Sequence, residues 1–394
     1  MDLDALVGNL DALRATVGEG VRIEPVVKAD AYGHGAVPVA LALQAAGADG
    51  FSVATFDEAV ELREAGVTLP ILVLYPVPPE VVETAAREGI ALALGPGPAT
   101  SRILAAAAVA SRLGAPRLAV HLEVETGLGR GGVFIDDVPE LAEVLLRAEG
   151  VTLAGLWTHL AAADDAARAR GQDARFGAAA ARLADQLEPG LGADGIRRHL
   201  AGSGGVLGAD VLRWDAARTG IATYGLVPDG LVPADVTRAA AARLRPIMSL
   251  YARPVRVLEL PEGHGVSYGP TYVTTRPTRI ATLPLGYADG WRRALTDRAD
   301  ALVRGVRVPI VGRVAMDAIM ADVTGVPGAP VTEDDEFVLL GTQGDERITA
   351  YDLASVCGTI SYEIVTGMSR RLARVYHAAG SAIGARTLTR GRSE

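Results

Sequence analysis

The chain is short of several things that would send its reading elsewhere. Cysteine occurs once, at Cys357, so no intrachain disulfide can form, which accords with a reducing compartment. The most apolar stretch, residues 103–110, is bounded by Arg102 and Arg112 and is far shorter than the ~20 residues of a membrane span. The amino terminus, Met-Asp-Leu-Asp-Ala-Leu, is acidic and lacks the basic segment of a secretory signal. A cytoplasmic protein with no membrane partner is expected. Positive charge is also in deficit: 38 Lys plus Arg against 47 Asp plus Glu leaves a net charge of -9, which argues against nucleic acid as the main partner. The sharpest shortage is of lysine. Of the 38 basic residues 37 are arginine, and Lys28 stands alone. An ε-amine can lose its proton and attack a carbonyl or aldehyde to form an imine, which a guanidinium cannot do. An arginine-biased genome also leaves a lone lysine by chance, so its neighbours decide.

What is present is an alternation. Short β-rich runs at residues 21–27, 50–54, 70–75, 90–94, 117–124, 151–157, 196–201 and 218–224 are separated by amphipathic stretches such as 56–65 and 138–147. Near-continuous apolar strands between helices imply parallel pairing, and eight of them imply a closed (β/α)8 barrel. An open doubly wound sheet would want a Gly-rich phosphate turn after the first strand. That turn reads Lys28-Ala-Asp-Ala-Tyr-Gly-His-Gly instead. After about Leu231 the texture changes to β-type segments at 248–260, 279–285, 306–311, 319–323 and 336–340, with helices at 351–356 and 362–365 and a frayed tail over 385–394. We therefore expect a barrel domain over 1–233 and a mainly β domain over 234–394.

Barrel enzymes carry their chemistry at the C-terminal ends of the strands. Lys28 follows the first run, Glu123 ends the fifth with Arg130 in the loop beyond, and His159 follows the sixth. Ser203, within Gly-Ser-Gly-Gly, follows the seventh, and Arg218, Gly220 and Ile221 belong to the eighth. A histidine or a glycine turn alone is weak, because buried histidines and turns have ordinary structural uses. Together they put an imine-forming lysine beside a backbone cradle for phosphate, which points to pyridoxal 5'-phosphate (PLP). A Schiff-base aldolase acting on a phosphorylated sugar uses both features too, but needs no second β domain.

These residues resemble the alanine racemase family, over nearly the whole chain. Val26-Val-Lys-Ala-Asp-Ala-Tyr-Gly-His-Gly35 matches its PLP-lysine motif, Glu125-Thr-Gly-Leu-Gly-Arg130 is similar to its Asp-Thr-Gly-Met-x-Arg segment, and Thr158-His159-Leu-Ala to its histidine segment. Arg218-Thr-Gly-Ile-Ala-Thr-Tyr-Gly, Gly265-Val-Ser-Tyr268-Gly, Gly312-Arg-Val-Ala-Met316-Asp317 and Thr359-Ile-Ser-Tyr362-Glu complete the match. The resemblance implies that Lys28 binds PLP and serves as one base, with Tyr268 of the partner subunit as the other. It implies that Tyr32, Ser203, Gly220, Ile221 and Tyr362 hold the phosphate end. Arg218 faces the pyridine nitrogen, His159 is a further cofactor-binding residue, and His159 and Arg218 support Tyr268 through a hydrogen-bonded chain. Arg130 and Met316 receive the substrate carboxylate, with Glu123 and Asp317 supporting. Tyr287, Arg293, Arg313 and Ile360 line the way in. A homodimer sharing its active sites is implied, interconverting L- and D-alanine for cell-wall precursors.

Two bases on opposite faces of the cofactor are the direct way to move the α-proton. An arginine beside the pyridine nitrogen keeps it unprotonated and disfavours transamination. The chain departs from the family at Glu123, where a lysine is usual and is carbamylated; Glu123 supplies a carboxylate to Arg130 without CO2. Gly202 and Ala315 replace Asn and Cys and leave room for a substrate larger than alanine, such as serine. Other PLP barrels fit less well. The decarboxylases of basic amino acids carry a Cys-Glu-Ser-Gly-Asp type motif, absent here, and the PLP homeostasis proteins, which lack racemase activity, end at the barrel.

Overall fold

The apolar runs form strands shorter than themselves. In the computed structural model, which describes residues 1–185, 195–208 and 214–389, they are β1 (Arg22–Ile23), β2 (Phe51–Val53), β3 (Ile71–Val73), β4 (Ile90–Leu94), β5 (Leu118–Glu123), β6 (Val151–Trp157), β7 (Arg197–His199) and β8 (Ala216–Ala217). All pair in parallel, in the order β1-β8-β7-β6-β5-β4-β3-β2. The ends of this row meet: Val27 N–H donates to the Ser52 carbonyl at 2.9 Å, and Ser52 N–H to that of Pro25 at 3.0 Å. The sheet so closes into the expected (β/α)8 barrel, with its helices between the strands. β2 and β3 are buried at every position, as strands with helices outside and packed side chains inside must be.

The eighth strand lies earlier than expected. Residues 218–224 are not a strand; Ala216–Ala217 pairs with Arg22–Ile23, and Ile221–Tyr224 is a 3-10 turn. A buried apolar run suits a strand or a helix equally, and Gly220 (φ −98°, ψ −102°) breaks the extended backbone before it. Arg218, Gly220 and Ile221 therefore follow β8, on the rim, and are not part of it.

Two units are resolved by packing: residues 4–245, and residues 1–3 with 246–394. The first runs past residue 233 because the helix Asp235–Ala241 is tied to the helix Ser203–Leu207, the Thr237 hydroxyl donating to the Leu207 carbonyl at 2.6 Å. The second is mainly β, as expected, and its strands pair antiparallel. β10 (Arg256–Leu260), β13 (Thr278–Leu283) and β16 (Ile319–Asp322) form one sheet. β15 (Val306–Pro309), β14 (Asp300–Val303), β17 (Phe337–Gln343) and β18 (Glu346–Ile348) form another, with β9 (Leu250–Ala252) against β17. β11 (Gly265–Val266) and β12 (Tyr272–Val273) make a short hairpin. Helices Ala350–Cys357 and Ser361–Thr366 stand where the pattern put them, the first opened by a Thr349–Asp352 capping box. The expected frayed tail is partly ordered: β20 (Ser381–Arg386) pairs with β19 (Arg374–Ala378), and residues 390–394 lie outside the described residues.

Candidate active site

Lys28 stands where β1 has ended, at the head of an unusual turn. Ala29, Asp30, Ala31 and Tyr32 all have φ between 53° and 56°, a left-handed run made by four residues none of which is glycine. Each costs about 1–2 kcal/mol in that region, so the surroundings must hold it. Glu58 does part of this. Its carboxylate closes a capping box on Thr55, accepting from Thr55 N–H at 3.1 Å, and also accepts from Ala29 N–H at 2.6 Å. Asp30 accepts from Ala36 N–H at 2.9 Å and so starts the next helix. Tyr224 donates its hydroxyl to the Val26 carbonyl at 2.7 Å and packs against the Tyr32 ring.

Burial lowers the proton affinity of the Lys28 amine; the positive Arg130 and, more weakly, Arg218 push it the same way, against Glu58. A neutral amine is the nucleophilic form. Burial raises the Tyr32 phenol to about 12, so it stays a donor. Its oxygen lies against Gly220, where a Cβ would sit 2.5 Å away. Ser203 Oγ accepts from Gly220 N–H at 3.0 Å and Ala222 N–H at 3.1 Å. Hydroxyls and amides thus converge at this end, with glycine where a side chain would block it.

Arg130 is carried by a loop that Glu125 winds around itself. Its carboxylate accepts from the N–H groups of Gly127, Gly129 and Arg130 at 2.5, 2.7 and 3.2 Å. The guanidinium then reaches Glu123 Oε1 at 3.2 Å and lies over the Tyr75 ring. Glu123 is only partly exposed. Burial raises its proton affinity even against the hydrogen bond from Arg130.

Arg218 is buried. Its Nη2 donates to the Thr158 carbonyl at 2.8 Å and its Nη1 to the His199 carbonyl at 3.0 Å and His199 Nδ1 at 2.5 Å. The ring it bonds is thus that of His199. His159 lies nearby, with burial and the charge of Arg218 lowering it to about 3, so it is neutral. Sequence reasoning passed over His199 and, behind it, His121. The available signal was a histidine within each of two apolar strand runs.

The second unit carries its own group of candidates. Tyr268 sits at the tip of the β11–β12 hairpin and is 77% exposed on its own chain. Ser267, at φ 64°, precedes it and donates its hydroxyl to the Arg313 carbonyl at 2.6 Å, while Arg313 Nε donates to the Gly269 carbonyl at 3.2 Å. Val266 anchors the hairpin in a cluster with Ile280, Val311 and Met320. Met316 is exposed; its carbonyl accepts from Ala288 N–H at 3.1 Å, next to Tyr287, and Gly286 is packed so closely that a Cβ would lie 2.5 Å from that oxygen. Asp317 pairs with Arg371 at 2.6 Å, and Arg371 with buried Asp289 at 3.2 Å. Arg293 opens a 3-10 turn, and Ile360 precedes the helix that bears Tyr362.

The family model for the alanine racemase N-terminal domain matches residues 1–228, and that for the C-terminal domain residues 247–376. The chain belongs to the alanine racemase family. It is 44% identical over 382 residues to the alanine racemase of Symbiobacterium thermophilum, covering 95% of this chain and 96% of that one. It resembles the crystal structure of alanine racemase from Bacillus anthracis with bound L-Ala-P, at TM-score 0.85 and 34% identity, over 98% of this chain and 96% of that one. It also resembles alanine racemase from Bartonella henselae with covalently bound pyridoxal phosphate, at TM-score 0.80 and 28% identity, over 96% of this chain and 98% of that one. Alanine racemases are PLP-dependent isomerases acting on amino acids. No helix among the described residues is long and apolar enough to cross a membrane.

Proposed function

We propose that this chain interconverts L- and D-alanine with PLP bound at Lys28, and that it works as a homodimer in which Tyr268 of the partner subunit completes the site. The observation that carries the reading is the sole lysine, its proton affinity lowered, at a barrel strand end beside Arg130 and Arg218. The residues suit PLP at both ends: an amine for its aldehyde, and Tyr32, Ser203, Ile221 and the Gly220 amide for its phosphate, with Tyr362 a further phosphate donor in this reading. When bound, PLP withdraws electrons from the substrate α-carbon and acidifies its proton.

The rest falls to the protein. Arg218, lowered by burial only to about 10, stays charged near neutral pH and would keep a proton off the ring nitrogen of the bound cofactor. Arg130 and the Met316 backbone bind the substrate carboxylate, with Asp317 steadying the Met316 segment. Lys28 Nζ holds the proton on one face and Tyr268 Oη on the other. His159 supports the tyrosine, and Tyr287, Arg293, Arg313 and Ile360 form the approach. Incubation with L-alanine in D2O should give D-alanine carrying deuterium at Cα. Retention of the α-proton in alanine while L-serine exchanges would replace alanine with serine.

Glu123 steadies Arg130 as a built-in carboxylate. Glu123→Gln keeps the shape and removes the charge, weakening a charge-assisted bond worth about 1.5–3 kcal/mol. The KM for alanine should rise about tenfold or more. Wild-type activity should be unchanged when dissolved CO2 is stripped. An unchanged KM in the variant would take Glu123 out of the site.

A further inference from the structure

The inside of the barrel holds two buried histidines behind Arg218 that no step above uses. Arg218 Nη1 donates to His199 Nδ1 at 2.5 Å, and His199 Nε2 meets His121 Nδ1 at 2.7 Å. Both imidazoles are at most 3% exposed. The protons in this row are fixed by valence. A guanidinium has no acceptor, so Arg218 must donate and His199 Nδ1 must be bare. The remaining proton of His199 then sits on Nε2, which makes His121 Nδ1 the acceptor and leaves the His121 proton on its own Nε2.

The surrounding residues are shaped to this row. β5 and β6 shift register between Val120 and His121, which brings Gly155 opposite His121. A Cβ there would lie 2.2 Å from His121 Nδ1, so only glycine leaves the ring its place. Trp157 stacks on the His199 ring at 6.2 Å and 9°, and lies 4.8 Å under the Arg218 guanidinium. Arg197, two residues before His199, is paired with the buried carboxylate of Glu24 at 2.7 Å, and among the described residues no carboxylate hydrogen-bonds either ring. Burial and the charges of Arg218 and Arg197 also hold both imidazoles neutral.

We propose that His199 and His121 are positioning residues: a one-way row of hydrogen bonds, both rings protonated on Nε2, that fixes the rotation of the Arg218 guanidinium and hence the edge it presents to the ring nitrogen of PLP. The last step rests on the assignment of Arg218 under Proposed function; the row itself does not. His121 touches neither cofactor nor substrate in this account. Its removal should therefore act on kcat and leave substrate binding nearly alone.

Protein labelled with 15N-histidine, examined at pH 7, reads the row directly. Both rings should show the Nε2–H tautomer; an Nδ1–H or doubly protonated form of either would overturn the proposal. His121→Leu should lower kcat about tenfold with the KM for alanine changed less than twofold, and His121→Asn, which returns an acceptor near the Nδ1 position, should recover most of it. Equal rates for the leucine variant and the wild type, or no recovery with asparagine, would also overturn it. Should the leucine variant fail to fold, the tautomers of the wild type still decide. A wild type that does not racemise alanine would refute the proposed activity and leave the tautomer result standing.

Discussion

Lys28→Arg is expected to lose alanine racemisation by at least roughly 10^4-fold, because it removes both a covalent attachment point and a base. The substitution keeps the charge and most of the length, so a purely electrostatic lysine would survive it. A guanidinium stays protonated and does not attack an aldehyde. It also adds a permanent cation beside Arg130 and Arg218, so Lys28→Ala is the companion variant that separates lost chemistry from charge crowding. Reduction with borohydride in the presence of PLP makes the result covalent. The wild type has one ε-amine, and the adduct should map to the peptide bearing Lys28. In either variant the amino terminus is the only primary amine left. An adduct of equal yield in the variants, or one found on Met1 in the wild type, would remove Lys28 from its role.

Tyr268→Phe should impair the two directions unequally. Removing a general base typically costs 10^2–10^4-fold, and each enantiomer presents its α-proton to only one of the two bases. Exchange of that proton for deuterium, followed separately from L- and D-alanine, should fall by roughly that factor for one and much less for the other. Unchanged exchange from both would end the two-base reading. The phenol is 77% exposed on its own chain, at a hairpin tip, which suits a group that acts on a neighbouring subunit. Mixing Lys28→Ala and Tyr268→Phe subunits tests this: hybrid dimers that share sites should contain one intact set and regain activity. No gain above either parent would place Tyr268 at its own subunit's site.

Much of this was legible in the sequence because barrel strands are buried on both sides and read as apolar blocks. Seven strands lie within their expected runs, and Lys28, Glu123, His159 and Ser203 follow or end those strands as the rim rule requires. The eighth slipped because Ile221 to Tyr224 is as buried as a strand and has no period of its own to betray a 3-10 turn. Glu123 was readable as the partner of Arg130 because strand-end position and charge agree. The row behind Arg218 was not. A histidine within an apolar strand has the same signature whether it fills space or orders a neighbour, and only the pairing of β5 with β6 and of β6 with β7 brings the two rings together.

The turn after Lys28 was the least legible element of all. Ala-Asp-Ala-Tyr carries no glycine to announce a reversed hand, yet all four residues adopt it. At about 1–2 kcal/mol each, the run works against a sum comparable to the whole stability of many domains. Such a segment does not carry its shape with it. Grafted onto another loop, the ten residues from Val26 to Gly35 would relax toward the ordinary hand. The Glu58 carboxylate on Ala29, the Asp30 bond to Ala36 and the Tyr224 hydroxyl on Val26 would all be left behind. A match to these ten letters in an unrelated fold is therefore no transplant of the site, because the barrel around them, not the motif, holds the lysine in place.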